Sequence, residues 1–201
     1  MCALTENQEF QDVDSHWIVG IRNDSASDFE AMYRCYYEYL CQFAYRFVNN
    51  HAASEDLVHN VFLNIWKNRD TWNPRGTLRT YLYRAVKNQS LKYLAHRKIQ
   101  NRTSFEDLTI LPDFNRMNPE EKIHGKEFEK AVQKAVAQLP ERRRIIWLMH
   151  REDKMTYREI ADVLDISIKT VETQMSRSLK FLRSQLTEFL PVIAFLISIF
   201  R

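Results

Sequence analysis

Hydroxyl, amide and cationic side chains cover one side of a short segment near the C-terminal end of the chain. Apolar residues recur there at steps of three and four, which predicts a helix with a single inward stripe. The stripe consists of Val171, Met175, Leu179 and Leu182. The polar side chains expected to face outward are Lys169, Thr170, Glu172, Thr173, Ser176, Arg177 and Lys180. Because such groups bond to base edges and phosphates, the pattern favours a nucleic-acid ligand.

A second helix is predicted directly before this one. Thr156 and Glu159 have the spacing of a capping box, which places a helix start at Tyr157 and its end at Leu164. Ser167 then caps the polar helix after a corner of three residues, 165–167. Two helices joined by so short a corner are typical of a helix-turn-helix, whose second helix enters the DNA major groove.

The chemistry of the polar helix fits such a ligand. At its Ser167 end, free backbone amides and the positive end of the helix dipole are available to a phosphate. Arg177 and Lys180 lie further along and can reach the flanking backbone. The alternative is an ordinary helix pair with a solvated outer face. Both caps, the short corner and the polar outer helix together favour DNA.

Aromatic and basic residues alternate in an earlier segment, residues 72–93. Such a mixture holds unpaired bases by ring stacking and phosphate neutralisation. The residues are Trp72, Arg75, Arg79, Tyr81, Tyr83, Arg84, Lys87, Lys92 and Tyr93. Tyr81 and Tyr93 are equally consistent with core positions. Trp72 lies in a polar loop, where burial is harder to arrange, although a ring folded back as a plug is an alternative.

Three further helices are predicted in the first half of the chain. Ser27 and Glu30 form a second capping box, and an apolar stripe follows them. Ser54 is expected to cap the next helix, which ends near Lys67. A loop rich in short polar side chains follows, and the third helix begins at Leu78.

The composition indicates an all-α fold with two small helical domains. Only three glycines occur in 201 residues, and most glycines and prolines fall between periodic segments. Periodicity fails over residues 99–126, which is long for a loop inside a compact domain. We therefore expect a flexible linker there, between domains at residues 20–98 and 127–186, the second with the helix-turn-helix. Residues 187–201 form an apolar tail.

Several classes of protein lack support in the sequence. The three cysteines are too few for a disulfide framework or a metal site, and the six histidines have no ligand spacing. Patterns of hydrolases, zinc proteases and phosphate-binding loops do not occur. We therefore expect no enzyme, no catalytic residue, no metal and no cofactor. Without an apolar secretory signal, a cytoplasmic location is expected.

The apolar run at residues 189–200 is too short for a membrane span. Its twelve uncharged residues would form a helix of about 18 Å, whereas a bilayer crossing needs about 20 residues. We expect the run to fold back against an apolar surface, because exposure would promote aggregation. The alternative is a weakly ordered tail that touches membranes loosely.

Three blocks of the sequence resemble the extracytoplasmic-function sigma factors of bacterial RNA polymerase. They are "ASEDLVHNVFLNIW", "RTYLYRAVKNQSLKYL" and "LPERRRIIWLMHREDKMTYREIADVLDISIKTVETQ". The C-terminal block alone is shared with response-regulator type DNA-binding domains, but the order of all three is not. The phrase "ISIKTVETQ" with a leucine-rich end is most similar to the version expanded in Bacteroidota.

The resemblance implies three interfaces. Core RNA polymerase, through its beta-prime and beta subunits, would bind Asp56, His59, Asn60, Phe62, Asn64 and Trp66. The minus-ten element would be opened and held by Trp72, Asn73, Arg75, Arg79, Tyr83, Arg84, Lys87 and Asn88. The minus-thirty-five element would be read by Ser167, Lys169, Thr170, Thr173, Ser176, Arg177 and Lys180. Promoter DNA is then a partner, and an anti-sigma factor is a further candidate.

A helix-turn-helix regulator of the response-regulator type is the alternative function. It would use the same C-terminal domain without docking on polymerase. It would also need a sensor domain before it, with alternating strands and an acidic pocket, and no such pattern is visible.

Overall fold

The computed structural model describes residues 9–100 and 123–187, and the described residues are helical without strands. The chain divides into two compact units. The first contains α1 (Glu9–Arg22), α2 (Ala26–Val48), α3 (His51–Lys67) and α4 (Leu78–Gln100). Along the rest of the chain lie α5 (Ile123–Ala137), α6 (Glu141–Arg151), α7 (Tyr157–Leu164) and α8 (Ile168–Gln185). The predicted all-α class with a helix-turn-helix is confirmed. Beyond residue 187, the predicted apolar tail lies outside the described residues.

Helix α2 is the centre of the first unit and contacts α1, α3 and α4. Its buried stripe includes Met32, Leu40 and Phe43, all with no exposed surface. The helix begins earlier than predicted, because Ser25 is its N-cap and accepts a 3.3 Å hydrogen bond from the Asp28 amide. The predicted cap was therefore wrong by two residues.

The start of α3 also differs from the prediction. Asn49 ends α2 in the left-handed conformation, and Asn50 then caps α3 by accepting a 2.9 Å bond from the Ala53 amide. Ser54, the predicted cap, lies inside the helix with 1% exposure. The Ser54 hydroxyl donates a 2.7 Å hydrogen bond to the Asn50 carbonyl, so this buried polar group has a partner.

Helix α1 was missed by the sequence analysis, which began the domain at residue 20. Trp17 and Ile21 of this helix are buried, and the Trp17 ring meets Tyr36 edge-on at 6.3 Å. The Tyr36 hydroxyl donates a 3.1 Å hydrogen bond to the buried Asp14 carboxylate. A side chain at Gly20 would overlap the Asp28 carboxylate, so glycine permits the close approach of α1 and α2.

The core of the second unit lies between α5, α6 and α8. Its buried residues are Ala135, Val136, Leu139, Leu148 and Leu182, and Val132, Trp147 and Phe181 pack against them. Along α8 the inward residues are Val171, Met175, Ser178 and Leu182.

Leu179 was predicted to face inward and is instead 39% exposed. A helix turns about 100° per residue, so Leu179 lies about 80° from Val171, while Ser178 lies about 20° from it. Ser178 is fully buried, and its hydroxyl donates to the Gln174 carbonyl at 2.8 Å. The hydrogen bond within the helix lets a polar residue take the place of leucine in the core.

Candidate nucleic-acid interface

The capping contacts that begin α7 and α8 are those predicted from the sequence. The Thr156 amide donates to Glu159 Oε2 at 2.8 Å, and the Glu159 amide donates to Thr156 Oγ1 at 3.2 Å. Asp165 turns the corner in the left-handed conformation with φ 58°. Ser167 then accepts a 3.1 Å bond from the Thr170 amide. These bonds fix where α8 begins, and with it the register of its outer residues.

The outer face of α8 is polar and accessible. Six of the residues predicted to read DNA are exposed, namely Ser167, Lys169, Thr170, Ser176, Arg177 and Lys180. Thr173 is half-buried among them, and its hydroxyl donates to the Lys169 carbonyl at 2.8 Å. The Lys169 ammonium lies 3.6 Å from the Glu172 carboxylate. This face, called the α8 outer face below, has the donors, acceptors and cations that a groove-binding helix needs.

The loop between α3 and α4 holds a buried tryptophan. Trp72 is only 6% exposed, and its ring meets Tyr81 at 5.9 Å, edge-on. The expectation of an exposed Trp72 was therefore wrong, because α4 supplies a ring for it to pack against. Its indole nitrogen makes no hydrogen bond to the described residues. Gly76, with φ 81°, adopts a conformation that other residues take only with strain and lets the loop turn into α4.

Tyr83, predicted to contact minus-ten DNA, has no exposed surface. Its ring lies 4.8 Å from that of Phe43, in the core between α2 and α4. Leu82 and Val86 share this inner face of α4 and are also fully buried. A ring held in this way cannot stack on a base unless the core opens, which corrects the expectation that Tyr83 faces DNA.

Polar groups around the buried rings remain accessible. Asn73, Arg75, Arg84 and Asn88 are exposed, while Arg79 and Lys87 are half-buried. The Nε and Nη2 atoms of Arg79 are buried without a hydrogen-bond partner among the described residues. Burial raises the pKa of the Asp14 carboxyl to about 6, and the nearby charge of Arg79 opposes this rise in part.

The outward side of α3 is mixed polar and apolar. Asp56, Asn60 and Asn64 are exposed, since they lie outside the apolar stripe of the helix. The His59 ring is exposed too, but its nitrogens lie 3.4 Å from the Tyr33 hydroxyl and 3.2 Å from the Tyr37 hydroxyl. The two tyrosine rings stack at 4.8 Å. The histidine is therefore oriented by α2.

Two aromatic residues of α3 predicted to bind polymerase lie inward. Phe62 is 2% exposed and packs 4.8 Å from the ring of Tyr33, so it belongs to the core. Trp66 is half-buried, 5.0 Å from Phe29, with the Arg69 guanidinium 4.8 Å from its ring. The expectation that Phe62 is available to a partner was wrong, because it shares the inward stripe of α3 with Val58 and Ile65.

Leu63 is the residue on α3 that the sequence analysis overlooked. It is 51% exposed and follows Asn60 by three residues, so both lie on the same side of the helix. The signal was present in the sequence, because Leu63 falls on the polar side of the period rather than in the apolar stripe. We call the exposed set Asp56, Asn60, Leu63 and Asn64 the α3 outer face.

Two family models match consecutive parts of the chain. One, described as sigma-70 region 2, matches residues 32–109, and the other, described as sigma-70 region 4, matches residues 129–182. The ECF RNA polymerase sigma factor SigW of Bacillus subtilis is 24% identical over 160 residues, which are 76% of this chain and 86% of that protein. This chain belongs to the extracytoplasmic-function sigma factors.

Two other relatives align with this sigma factor over a smaller share of both chains. The ECF RNA polymerase sigma-E factor of Escherichia coli is 25% identical over 130 residues, covering 61% of this chain and 68% of that protein. The SigE protein of Mycolicibacterium smegmatis is 27% identical over 146 residues, covering 72% of this chain but 56% of that protein. The Bacteroidota subtype remains a prediction.

Solved structures show the same fold. CnrH, in complex with the cytosolic domain of CnrY, aligns with a TM-score of 0.59 and 20% identity, covering 88% of this chain and 99% of that one. RpoE of Bartonella quintana, in complex with the anti-sigma factor NepR, aligns with a TM-score of 0.58 and 19% identity, covering 81% and 98%.

No described helix is long and apolar enough to cross a membrane. Within the same residues, no group of three or more histidine, cysteine, aspartate or glutamate side chains could hold a metal ion. The chain directs transcription initiation as a sigma factor.

Proposed function

We propose that this sigma factor divides its work among three surfaces. The α3 outer face docks on core RNA polymerase, the loop and α4 hold the opened minus-ten strand, and the α8 outer face reads the minus-thirty-five element. Residues 20–98 then act as sigma region 2 and residues 127–186 as sigma region 4, and the linker at residues 99–126 crosses the polymerase cleft. The capped α8 with its accessible polar face is the observation that carries the proposal.

The minus-thirty-five role is supported by position and charge. The Ser167 cap leaves the amino end of α8 exposed, where amides and the helix dipole favour a phosphate. Arg177 and Lys180 are exposed on the same helix, about three and three and a half turns after Ser167. A helix docked in the groove by its amino end would place these cations near the flanking backbone.

The residues that we assign to the minus-ten contact differ from those implied by the resemblance, because two of the rings are buried. Asn73, Arg75, Arg84 and Asn88 supply the strand contacts, with Arg79 and Lys87 contributing from half-buried positions. Trp72 and Tyr83 support this surface from below, since both rings are buried. Opening a base pair costs a few kcal/mol per unstacked base, so a basic surface that neutralises the free strand is the requirement.

The docking role is supported by what the α3 outer face exposes. One large apolar side chain, Leu63, lies among the short polar side chains Asp56, Asn60 and Asn64. An apolar centre with a polar rim is how protein interfaces are built. His59, held by two tyrosine hydroxyls, extends the same surface toward α2.

The remaining assignments follow from this role. A sigma factor acts where polymerase and promoter are, in the cytoplasm, and performs no covalent chemistry of its own. The two solved structures contain protein partners, the cytosolic domain of CnrY and the anti-sigma factor NepR. An anti-sigma factor is accordingly the regulatory partner that we assign to this chain.

Reconstituted transcription tests the proposal. Core polymerase with this protein should start transcripts on genomic DNA at sites that share upstream elements near minus thirty-five and minus ten, when 5′ ends are sequenced. Core polymerase alone should not start at these sites. Specific DNA binding by the protein without polymerase, and no transcripts with it, would favour the response-regulator type regulator instead.

A further inference from the structure

The centre of the α8 outer face is a threonine whose hydroxyl is already occupied. Thr173 follows the buried Val171 by two residues, so it points about 200° away from the inward stripe. Its Oγ1 donates to the Lys169 carbonyl at 2.8 Å, one turn back along the same helix. Such a bond turns the oxygen toward the preceding turn and leaves the methyl as the group that faces a ligand.

The residues around this methyl group are polar and more exposed than Thr173 itself. Thr173 lies in a shallow depression whose other lining residues are Lys169, Glu172, Ser176 and Arg177. All four neighbours are exposed, while Thr173 is half-buried. Among these neighbours, the Lys169 ammonium lies 3.6 Å from the Glu172 carboxylate. An apolar floor with a charged rim suits a small apolar group on an otherwise polar surface.

The DNA major groove offers such a group at one base. Thymine carries a C5-methyl group there, whereas guanine, cytosine and adenine present hydrogen-bonding atoms and no methyl. We infer that Thr173 reads a thymine of the minus-thirty-five element by methyl-to-methyl contact, not by a hydrogen bond from its hydroxyl. The inference rests on the proposed function of α8 and adds the base that the centre of its outer face selects.

Two substitutions separate the methyl from the hydroxyl. Thr173→Val keeps the shape and the methyl and removes the hydroxyl, while Thr173→Ser keeps the hydroxyl and removes the methyl. The probe is a promoter duplex mapped by 5′-end sequencing, with each minus-thirty-five thymine replaced in turn by uracil, which lacks only the methyl. The measurement is the ratio of affinities of the reconstituted holoenzyme for the thymine and uracil duplexes.

One thymine position should show a preference of about fourfold with the parent protein, the expectation for removing one buried methyl group. Thr173→Val should retain that ratio, and Thr173→Ser should bring it to one. A ratio abolished by valine and kept by serine would assign readout to the hydroxyl and overturn the inference. So would a parent protein indifferent to every uracil, or a mapped element without thymine.

The experiment distinguishes a failure of the methyl contact from a failure of the proposed function of α8. If the parent holoenzyme does not prefer the mapped promoter over one with a scrambled minus-thirty-five element, the DNA-reading role of α8 itself fails. If it keeps that preference while no thymine-to-uracil change matters, only the methyl contact fails. Thermal unfolding of both Thr173 variants controls for a change in the helix.

Discussion

The indole ring of Trp72 meets the ring of Tyr81 edge-on, with centroids 5.9 Å apart and planes at 64°. This contact closes the loop onto α4 and buries a residue that a polar loop would have left exposed. The surrounding Asn73 and Arg75 remain accessible. The tryptophan therefore holds the loop in place for its polar neighbours.

Trp72→Ala should destabilise the first unit by about 3–5 kcal/mol, because it removes a buried aromatic side chain. Trp72→Phe keeps the ring contact with Tyr81 and should cost much less. We expect strand opening, measured by permanganate reactivity of unpaired thymines, to fail with alanine and to persist with phenylalanine. Loss of opening with a stably folded phenylalanine variant would instead assign a direct DNA contact to the indole.

The caps of α7 and α8 were predictable from the sequence, whereas the caps of α2 and α3 and the contacts between distant positions were not. Thr156, Glu159 and Ser167 are within three residues of the amides they cap, so sequence spacing alone determines those bonds. Trp72 is buried by a residue nine positions away, and Asp14 is bonded to Tyr36, 22 positions away. Packing between helices decides such positions, and no local pattern records it.

The cations on α8 should contribute salt-dependent affinity without base preference. Arg177→Ala and Lys180→Ala should each weaken holoenzyme binding across promoter sequences. Each should also lower the slope of log affinity against log salt by about one, the expectation for a lost phosphate contact. Arg34, an exposed cation paired with Glu30 at 2.6 Å on α2, provides a matched control. An unchanged slope in an Arg177 variant would remove that residue from the DNA contact.

Leu63 should be a major contributor to polymerase affinity. Leu63→Ala is expected to weaken binding to core polymerase about tenfold, because central apolar side chains dominate interface energetics. Asn60→Arg or Asn64→Arg should weaken it further by placing a charge at the interface. None should lower the unfolding temperature, since all three positions are exposed.

Leu91→Ala is the matched control for this surface, because Leu91 is 48% exposed on α4 and lies outside the α3 outer face. Affinity can be measured by titrating labelled protein with core polymerase. Equal losses for Leu91 and Leu63 variants would mean that exposed leucine as such, and not the position on α3, determines binding.

Only part of the α3 outer face could be predicted from the sequence. The helical period correctly predicts that Asp56, Asn60 and Asn64 are exposed, because one stripe of the helix must face the core. The same period places Phe62 in that stripe, and the resemblance had suggested a contact there. Which exposed residues form the centre of an interface depends on their neighbours across helices, as with His59 and the two tyrosines of α2.

The stability of the first unit should fall as the pH rises through about 6, owing to Asp14. Burial raises the pKa of this carboxyl from 3.8 to about 6, with the Tyr36 hydrogen bond and the Arg79 charge opposing the effect. The folded state therefore binds a proton that the unfolded state releases between these values. The stabilisation is fully present below pH 4 and is lost as the pH rises through 6, on the order of 2–3 kcal/mol in total.

Asp14→Asn removes the ionisation and keeps an oxygen that can accept the Tyr36 hydrogen bond. The variant should unfold at a higher temperature than the parent at pH 8, and the difference should shrink as the pH is lowered to 4.5. Circular dichroism melts across this range measure both. Asp70→Asn, at an exposed position, is the control for the change from carboxylate to amide itself. A constant difference between Asp14→Asn and the parent would mean that the carboxyl does not titrate in this range, and that packing accounts for the effect of the substitution.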